Sequence, residues 1–468
     1  MSAPLTTAQS FNVTYAGIIP VGATKMKEIT NMILRFDYLE SIDQPLVEGK
    51  LKLVDTGENL ISSLPLQGFE TVKIKVETTN GEMEYELKVY KIFDRFAFDR
   101  YQEYTLGLVP LTALKNESVK VPLTLSGTPT AVVNKLLTEF LEVPSTKLQL
   151  EASSNKIKFC PGKKTPFAII KSIQSKTLSQ SAKNAPSPPV TDSSTTTSST
   201  GDSTVGNLVG SSGYFFYENK EGYNFQSIDK LNSLKKNPPI AIYTQENAQV
   251  GGDTRNKILD IDFDSEIDML AKLRTGAFSS VIAYYNYSTG AYEEYTYSLK
   301  KNFNHMEHLG SQSGLPSGQS ELSTAPTRIM SVLIDHETWF DGKEIASTEQ
   351  KDGGKKTTAE FPDYQKYYTA QSISREYSLN NQQVRLTVPV NPNLMVGKTI
   401  EIRIPHQVPT KHRLANMYDP EHSGVYLIAT VDHAYAPKNA QAFSFLTLIR
   451  DSYGRPGEGS KVQVNVTK

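Results

Sequence analysis

Residues 71–89 read TVKIKVETTNGEMEYELKV, and this stretch decides the fold class. In its first seven residues, polar side chains alternate with three apolar ones, Val72, Ile74 and Val76. A period of two indicates a strand with one buried face. Asn80-Gly81 follows, which is the strongest short signal for a β-hairpin. A second alternating run then places three more side chains on one face, Tyr85, Leu87 and Val89. The stretch therefore predicts an antiparallel hairpin.

Similar patterns extend outward from this hairpin. Further strands are predicted at 49–54 and 104–109, so the first 120 or so residues indicate a small β-barrel or sandwich. Towards the other end of the chain, alternating runs predict strands at 384–388, 399–404, 424–433 and 442–449. Two β-rich regions thus flank a middle region in which helices and strands are mixed. They share no obvious sequence repeat, but the pattern allows a structural duplication.

The middle of the chain carries helix signals. Thr128 is predicted to cap a helix with Pro129 at its first position, and Thr165-Pro166 begins a second helix. A third helix is predicted from Ser265, as its cap, to Leu273, and a fourth at 364–377. Together with their neighbouring strands, the first two helices indicate an α/β insertion.

Residues 179–212 form a low-complexity stretch with an unbroken Ser/Thr run at 193–200. Such a composition buries too little apolar surface to offset the entropy lost on ordering. Patterned sequence resumes at once with the aromatic run 214–217. The stretch is therefore predicted to be a disordered loop within a domain.

The charge balance excludes some classes of protein. The chain of 468 residues has 49 Lys+Arg against 50 Asp+Glu, without the basic excess of a nucleic-acid binder. Sequence-specific nucleic acid is therefore not an expected partner. A single cysteine, Cys160, cannot form an internal disulfide, which fits folding in a reducing cytoplasm. No signal peptide and no membrane segment are predicted.

Several candidate metal sites do not meet the requirements of metal binding. His305 and His308 have the spacing of ligands on one helix face but lack an obvious third ligand. Four aspartates resemble a calcium loop, but the glycine and glutamate that such a loop requires are missing. They are Asp260, Asp262, Asp264 and Asp268. Alternation in a strand with one charged face explains them better.

The candidate catalytic residues also lack the neighbouring residues in the sequence that catalysis would require. Cys160 precedes Pro161-Gly162 and has no base near it in the sequence. Residues 310–314, Gly-Ser-Gln-Ser-Gly, have glutamine where a nucleophile elbow has serine. His433 ends an apolar run and is interpreted as a strand-end histidine. The sequence therefore predicts no catalytic, cofactor-binding or metal residue, and no cofactor.

Three stretches together resemble the central baseplate hub proteins of contractile-tail, T4-like bacteriophages. The first runs from 60 to 77, where LISSLP leads through Gly68-Phe69-Glu70 into the alternating strand. The second is the aromatic segment 213–225 with Ser227-Ile228-Asp229 after it. The third runs from 388 to 451 and includes GVYLI at 424–428 and LIRD at 448–451. The Ser/Thr loop and residues 310–360 depart from the family pattern.

The resemblance implies a mainly β fold with α/β insertions and two tail-tube-like antiparallel β-barrel domains. The first barrel is expected at 1–118, and an α/β domain with a loop at 179–212 at 119–235. The second barrel is expected to be discontinuous, at 236–287 and 370–455. An insertion domain is expected at 288–369 and a C-terminal tail at 456–468.

The resemblance also implies a structural role without chemistry of its own. It implies a homotrimer forming a pseudo-six-fold ring that joins the six-fold tail tube to the three-fold central spike and passes the tube contents. The implied partners are the trimeric spike, the tube protein or its initiator, and baseplate wedge proteins. The implied location is the tail baseplate of the virion, after assembly in the host cytoplasm. Alternatives left open are a tail-associated cell-wall hydrolase and a receptor- or carbohydrate-binding tail protein.

Overall fold

The structure is a computed structural model. It describes residues 5, 7–57, 60–64, 66–179, 211–245, 254–265, 268–287, 292–311, 325–334, 364–405, 418–419 and 421–454. The strands of the first part of the chain are β1 Phe11–Ile19, β2 Lys27–Glu28, β3 Ile33–Ser41, β4 Glu48–Asp55, β5 Thr71–Thr78, β6 Gly81–Ala97, β7 Gln102–Val109, β8 Leu125–Gly127, β9 Leu148–Leu150 and β10 Ile157–Phe159. Those of the later part are β11 Tyr214–Asn219, β12 Gly222–Ser227, β13 Ile242–Thr244, β14 Asp260–Ser265, β15 Ser279–Asn286, β16 Tyr292–Ser298, β17 Arg328–Ile334, β18 Gln382–Pro389, β19 Thr399–Arg403, β20 Gly424–Ala436 and β21 Gln441–Arg450.

The helices are shorter and connect or cover the sheets. They are α1 Leu60–Ser63, α2 Leu111–Ser118, α3 Pro129–Lys135, α4 Pro166–Gln174, α5 Ile228–Asn232, α6 Met269–Thr275, α7 Leu299–Asn302 and α8 Tyr364–Leu379. A π-helical turn, Leu136–Phe140, continues α3. Among the described residues, no helix is long and apolar enough to cross a membrane. The predicted mainly β fold with α/β insertions is confirmed.

One large sheet organises the molecule. Its strands follow the order β14-β18-β21-β20-β3-β4-β7-β6-β5-β1-β2, while β19 pairs with β20 and β13 pairs with β19. Strands β1 to β7 are called the first β-half below. Strands β13, β14 and β18 to β21 are called the second β-half. The two halves join where β3 pairs with β20, in antiparallel register from Thr430↔Ser41 to Tyr435↔Phe36.

Each half packs around its own hydrophobic core. In the first β-half, the hairpin predicted from 71–89 is present as β5 and β6, joined at Thr78↔Gly81. Its alternating side chains face the core as predicted, since Val72, Ile74 and Val76 are at most 2% exposed. Tyr435 of the second β-half enters this core, where its hydroxyl lies 2.8 Å from that of Tyr85. The two cores therefore meet at the β3–β20 joint.

An α/β region between the halves has a third core, formed by α3, α4 and the three-stranded sheet β11-β12-β9. The predicted helix start at Thr128 is confirmed, because its Oγ1 accepts a hydrogen bond from the backbone N–H of Ala131. Pro166 occupies the first turn of α4, again as predicted. The aromatic segment 214–217 forms the first four residues of β11. Three of these four side chains are buried, and that of Phe215 is partly buried.

A fourth core lies under the sheet β16-β15-β17 and helix α8. Residues 236–287, which include β15, were predicted to belong to the second barrel, but β15 pairs with β16 and β17 instead. The rest of the predicted domain division stays a prediction. The third predicted helix begins later than expected. Ser265 ends strand β14, and Asp268 caps α6 by accepting from the backbone N–H of Ala271. Leu270, expected inside, is 57% exposed.

The boundaries predicted for the Ser/Thr loop are too wide. Residues 180–210 lie outside the described residues, but Ser179, Ser211 and Ser212 are buried. The backbone N–H of Ser179 donates to the Ser211 carbonyl over 2.9 Å. Ser212 is held by Gln371 and by the carbonyl of Tyr368, on α8. The two ends of the loop are therefore adjacent and belong to the packed structure.

Replacing residues 180–210 with a short Gly/Ser link should leave folding and oligomeric state unchanged. The reason is that Ser179 and Ser211 already lie side by side, and loop-closure entropy changes by only about 0.6 kcal/mol per doubling of length. Thermal unfolding and light scattering would check this. A wider deletion of 179–212 is the matched control. It removes buried hydrogen bonds and should lower the melting temperature. Insoluble protein after the shorter deletion would contradict the prediction.

Candidate functional site

The two histidines with metal-ligand spacing do not form a shared ligand face. His308 Nδ1 lies 2.7 Å from Asp451 Oδ2, and its Nε2 lies 2.8 Å from the carbonyl oxygen of Phe303. The imidazole also stacks on the Phe303 ring. His305 ends a short 3-10 helix, Phe303–His305, so the pair does not share a helix. Among the described residues, no group of three His, Cys, Asp or Glu side chains could hold a metal ion.

The aspartate cluster has the strand geometry that the sequence predicted. Asp260 and Asp262 are exposed on β14, while Ile261 and Phe263 alternate with them and pack against the second core. Asp268 lies apart, as the cap of α6. Asp260 and Asp262 therefore lie on one charged face of a strand, and Asp268 does not.

The remaining candidates have structural surroundings. His433 lies inside β20, not at a strand end as predicted. Its Nδ1 is 2.8 Å from Ser444 Oγ and its Nε2 is 3.2 Å from the Leu394 carbonyl. Burial lowers the pKa of His433 to about 4, so the ring is neutral. Cys160 is exposed. The backbone N–H of Gly310 donates to Ser452 Oγ over 2.6 Å, and residues 312–324 lie outside the described residues.

A buried carboxylate joins three parts of the molecule. Glu40, on β3, is 1% exposed. Its Oε1 accepts from the backbone N–H of Lys220, in the turn between β11 and β12, over 2.7 Å. Its Oε2 accepts from the backbone N–H of Val396, before β19, over 2.9 Å, and the Tyr38 hydroxyl donates to Oε1 over 3.2 Å. Burial raises the pKa of Glu40 to about 7, although these hydrogen bonds oppose the shift.

A second buried carboxylate lies beside the first. Glu218, on β11, accepts from the backbone N–H of Val47 over 3.2 Å. Burial raises the pKa of Glu218 to about 8, and the nearby charge of Glu40 adds to this rise. The two carboxyl groups form a junction of β3, the β3–β4 connection, the β11–β12 hairpin and the segment before β19. This set is called the carboxylate junction below.

A second polar network joins the fourth core to the second β-half. Arg375 of α8 donates through Nη1 to Asp229 Oδ1 over 2.6 Å, and both side chains are at most 3% exposed. Asp229 also accepts from the backbone N–H of Glu307. Nearby, Asp451 at the end of β21 accepts from Leu309 N–H and contacts His308. Burial alone would raise the pKa of Asp451, but His308 and these hydrogen bonds lower it overall.

Both networks bind backbone amides of one part of the chain to side chains of another. A buried polar group that lost its partner would cost about 1–3 kcal/mol, so each network favours one arrangement of the parts. The sequence analysis did not single out these residues. The sequence did contain one sign of a buried carboxylate. Phe36, Tyr38 and Glu40 occupy alternate positions of β3, so Glu40 lies on the face that points to the core. Each network orients one part of the chain against another through buried polar groups.

No family model matches the chain, and no curated protein matches it. The tail protein from Neisseria meningitidis MC58 matches at a TM-score of 0.50 and 11% identity, over 96% of this chain and 100% of that one. The prophage MuSo2 43 kDa tail protein from Shewanella oneidensis matches at a TM-score of 0.45 and 8% identity, over 93% and 98% of the two chains.

A prophage tail protein, gp18 from Listeria monocytogenes EGD-e, matches at a TM-score of 0.44 and 9% identity, over 93% of this chain and 94% of that one. The match to the Neisseria protein covers both chains almost from end to end, so it includes both β-halves and the regions between them. The resemblance to hub-like phage tail proteins that the sequence indicated is thereby confirmed at the level of the fold. This chain has the fold of the tail protein from Neisseria meningitidis MC58.

Proposed function

We propose that this chain is a structural protein of the baseplate of a contractile phage tail. Three copies form a hub whose pseudo-six-fold ring joins the six-fold tail tube to the three-fold central spike. The hub carries out assembly and passage of the tube contents, and no chemistry of its own. Its partners are the spike, the tube protein or tube initiator, and baseplate wedge proteins, and its location is the virion tail.

The continuous sheet is the observation that carries this proposal. Along the path β14-β18-β21-β20-β3-β4-β7-β6, each β-half contributes four strands. One chain therefore supplies two β-halves side by side in one sheet, and three chains would supply six. This is the property required of an adaptor between six-fold and three-fold partners.

The two β-halves are also joined by backbone pairing and by the hydrogen bonds of a buried carboxylate. Strands β3 and β20 share six paired positions, and Glu40 links the joint to the α/β region. A head-to-tail assembly closes into a ring only if the rotation from each unit to the next adds up to a full turn. If the rotation does not add up, the assembly grows into an open filament. The carboxylate junction supports the proposal because it restricts that angle within each chain.

Native mass spectrometry at micromolar concentration should detect a trimer. Permanent assemblies of this kind bury on the order of 2,000 Å² or more per interface, so the trimer should survive dilution. Light scattering in solution is an independent check. A chain that stays monomeric with the tube and spike proteins both present would contradict the proposal. A muralytic assay on the same sample tests the alternative of a cell-wall hydrolase.

A further inference from the structure

We propose that a cavity between the β11–β12 hairpin, α5 and the turn before β19 binds a small phosphate-bearing anion. The cavity has a volume of about 240 Å³ and lies within a single chain. The inference goes beyond the proposed hub and does not depend on it. We call this cavity the lysine pocket below. The side chains that carry the argument are Tyr217, Asn224, Gln226, Lys230, Lys236 and Lys398.

The charges that line the lysine pocket are positive. Its charged side chains, among the described residues, are Lys230, Lys236 and Lys398. Burial lowers the pKa of Lys230, and the charges of Lys398 and Lys236 lower it further. The negative charge of Glu151 opposes this shift. The Lys230 ammonium has no hydrogen-bond or ion-pair partner among the described residues. An anion between the lysines would reduce their mutual repulsion.

Two carboxylates lie near these lysines but are held by other groups. Glu221 Oε2 accepts from Gln149 Nε2 over 2.9 Å and lies 3.8 Å from Lys398 Nζ. The buried Glu151 accepts from the backbone N–H and the hydroxyl of Ser227, over 2.7 and 2.9 Å. Neither carboxylate lines the lysine pocket. Within the described part of the chain, the lining therefore has three positive side chains and no negative one.

A buried tyrosine contributes a hydroxyl that the protein does not use. Tyr217, on β11, lines the lysine pocket and is 1% exposed, but its hydroxyl has no hydrogen-bond partner among the described residues. Gly397 faces this hydroxyl, and a methyl group at that position would overlap the oxygen. Burial raises the pKa of Tyr217 and the charge of Glu40 adds to the rise, so the hydroxyl keeps its proton.

This unpartnered hydroxyl indicates that the lysine pocket holds an acceptor. A buried hydroxyl without a hydrogen bond is unfavourable, and such groups are rare in folded proteins. A water molecule would satisfy the hydroxyl of Tyr217. Only an anion would accept from the hydroxyl and also neutralise the lysines.

Two buried amides add further donors. Gln226 Nε2 donates to Asn224 Oδ1 over 3.1 Å, and Asn224 Nδ2 donates to the Gly222 carbonyl over 3.0 Å. Each of these nitrogens carries a second hydrogen, which the two bonds leave available. Both side chains line the lysine pocket and are at most 8% exposed. The same bonds fix the orientation of the amides, so the donors are in place before a ligand binds.

The charge and size of the lysine pocket suit a phosphate group. Lysine binds phosphate as a point charge, and a phosphate monoester carries about −1.5 to −2 charge at pH 7. Three ammonium groups match that charge better than the single charge of a carboxylate. The volume corresponds to about eight water molecules of roughly 30 Å³ each. Pockets for drug-sized ligands have roughly 300–1,000 Å³. The ligand is therefore a small anion or the phosphate end of a larger molecule.

Isothermal titration calorimetry with the full chain tests the lysine pocket. Inorganic phosphate should bind at one site per chain, and sodium chloride at equal ionic strength should give no saturable heat. Adenosine monophosphate and acetate are parallel probes. Tighter binding of adenosine monophosphate would identify a phosphate monoester as the ligand, and tighter binding of inorganic phosphate would identify the free ion. Acetate that binds as tightly as phosphate would overturn the assignment.

Two variants separate binding from folding. Tyr217→Phe and Lys230→Met should each weaken phosphate binding about tenfold or more, as expected for the loss of one hydrogen bond to a charged group. Tyr217→Phe should not lower the melting temperature measured without phosphate, because the hydroxyl has no partner in the described chain. Lys235→Met is the matched control, at an exposed lysine outside the lysine pocket, and should bind phosphate like the unmodified chain.

Two results would overturn the proposal. One is a folded, unmodified chain that shows no saturable binding of phosphate or adenosine monophosphate at millimolar concentration. The other is a folded Tyr217→Phe or Lys230→Met variant that binds phosphate as tightly as the unmodified chain. If one variant does not fold, the other still decides. Neither result affects the proposed hub, and a monomeric chain would overturn the hub without affecting the lysine pocket.

Discussion

Replacing Ile74 with aspartate should unfold the first β-half. Ile74 is 1% exposed in the first core, on β5, the first strand of the predicted hairpin. An unpaired charge in such a place costs about 3–5 kcal/mol, in addition to the lost apolar contacts. Whole domains are stable by about 5–15 kcal/mol, so this change removes a large share of the total. Soluble yield, thermal unfolding by circular dichroism and limited proteolysis would measure the effect.

The neighbouring residue provides a matched control. Lys73 lies on the opposite face of the same strand, and its Nζ is 3.0 Å from Glu86 Oε2. Both side chains are partly exposed, and exposed ion pairs contribute about 0–1 kcal/mol. Lys73→Gln should therefore change stability by no more than about 0.5 kcal/mol. Equal melting temperatures for the two variants would show that the face assignment is wrong.

Replacing Arg375 with methionine should destabilise the packing of α8 against the second β-half by about 3–5 kcal/mol. The change leaves Asp229 buried without the cation that now lies 2.6 Å from it. The pair is almost fully buried, so water cannot take the place of the guanidinium. Because the chain has several cores, the effect should appear in the unfolding transition of the fourth core and as faster proteolysis there.

A double variant separates the charge effect from the loss of packing. Asp229→Asn keeps an acceptor for the backbone N–H of Glu307 while removing the negative charge. Arg375→Met with Asp229→Asn should therefore be more stable than Arg375→Met alone. If Arg375→Met alone costs less than about 1 kcal/mol, the ion pair does not stabilise this junction, and the structure of the network is wrong.

Local signals predicted several of the strands and helices. The hairpin at 71–89, the cap at Thr128 and the strands after 380 are all present where the sequence indicated. These features depend on residues close in the chain, namely on alternation, turn residues and caps. The helix predicted from Ser265 began at Met269 instead, because two residues able to cap a helix compete there and Asp268 forms the cap.

Partners distant in the chain were not predictable in the same way. Alternation shows which side chains of a strand face the core but not which strand lies beside it. The place of β15 is an example, since its apolar residues suit either the second β-half or the sheet with β16 and β17. The resemblance to tail proteins gave the overall architecture, but it did not identify Glu40, Glu218 or the Asp229–Arg375 pair.

The sequence by itself determined the hairpin at 71–89 with its buried face, the strands after 380, the helix starts at Thr128 and Thr165 and the resemblance to hub proteins, because neighbouring residues carry that information. Only the tertiary structure decided that β3 pairs with β20, some 390 residues later in the chain. It also decided that Glu40 becomes buried against two distant backbone amides. Pairing between distant strands depends on how all the hydrophobic cores pack together. A local sequence pattern does not contain that information.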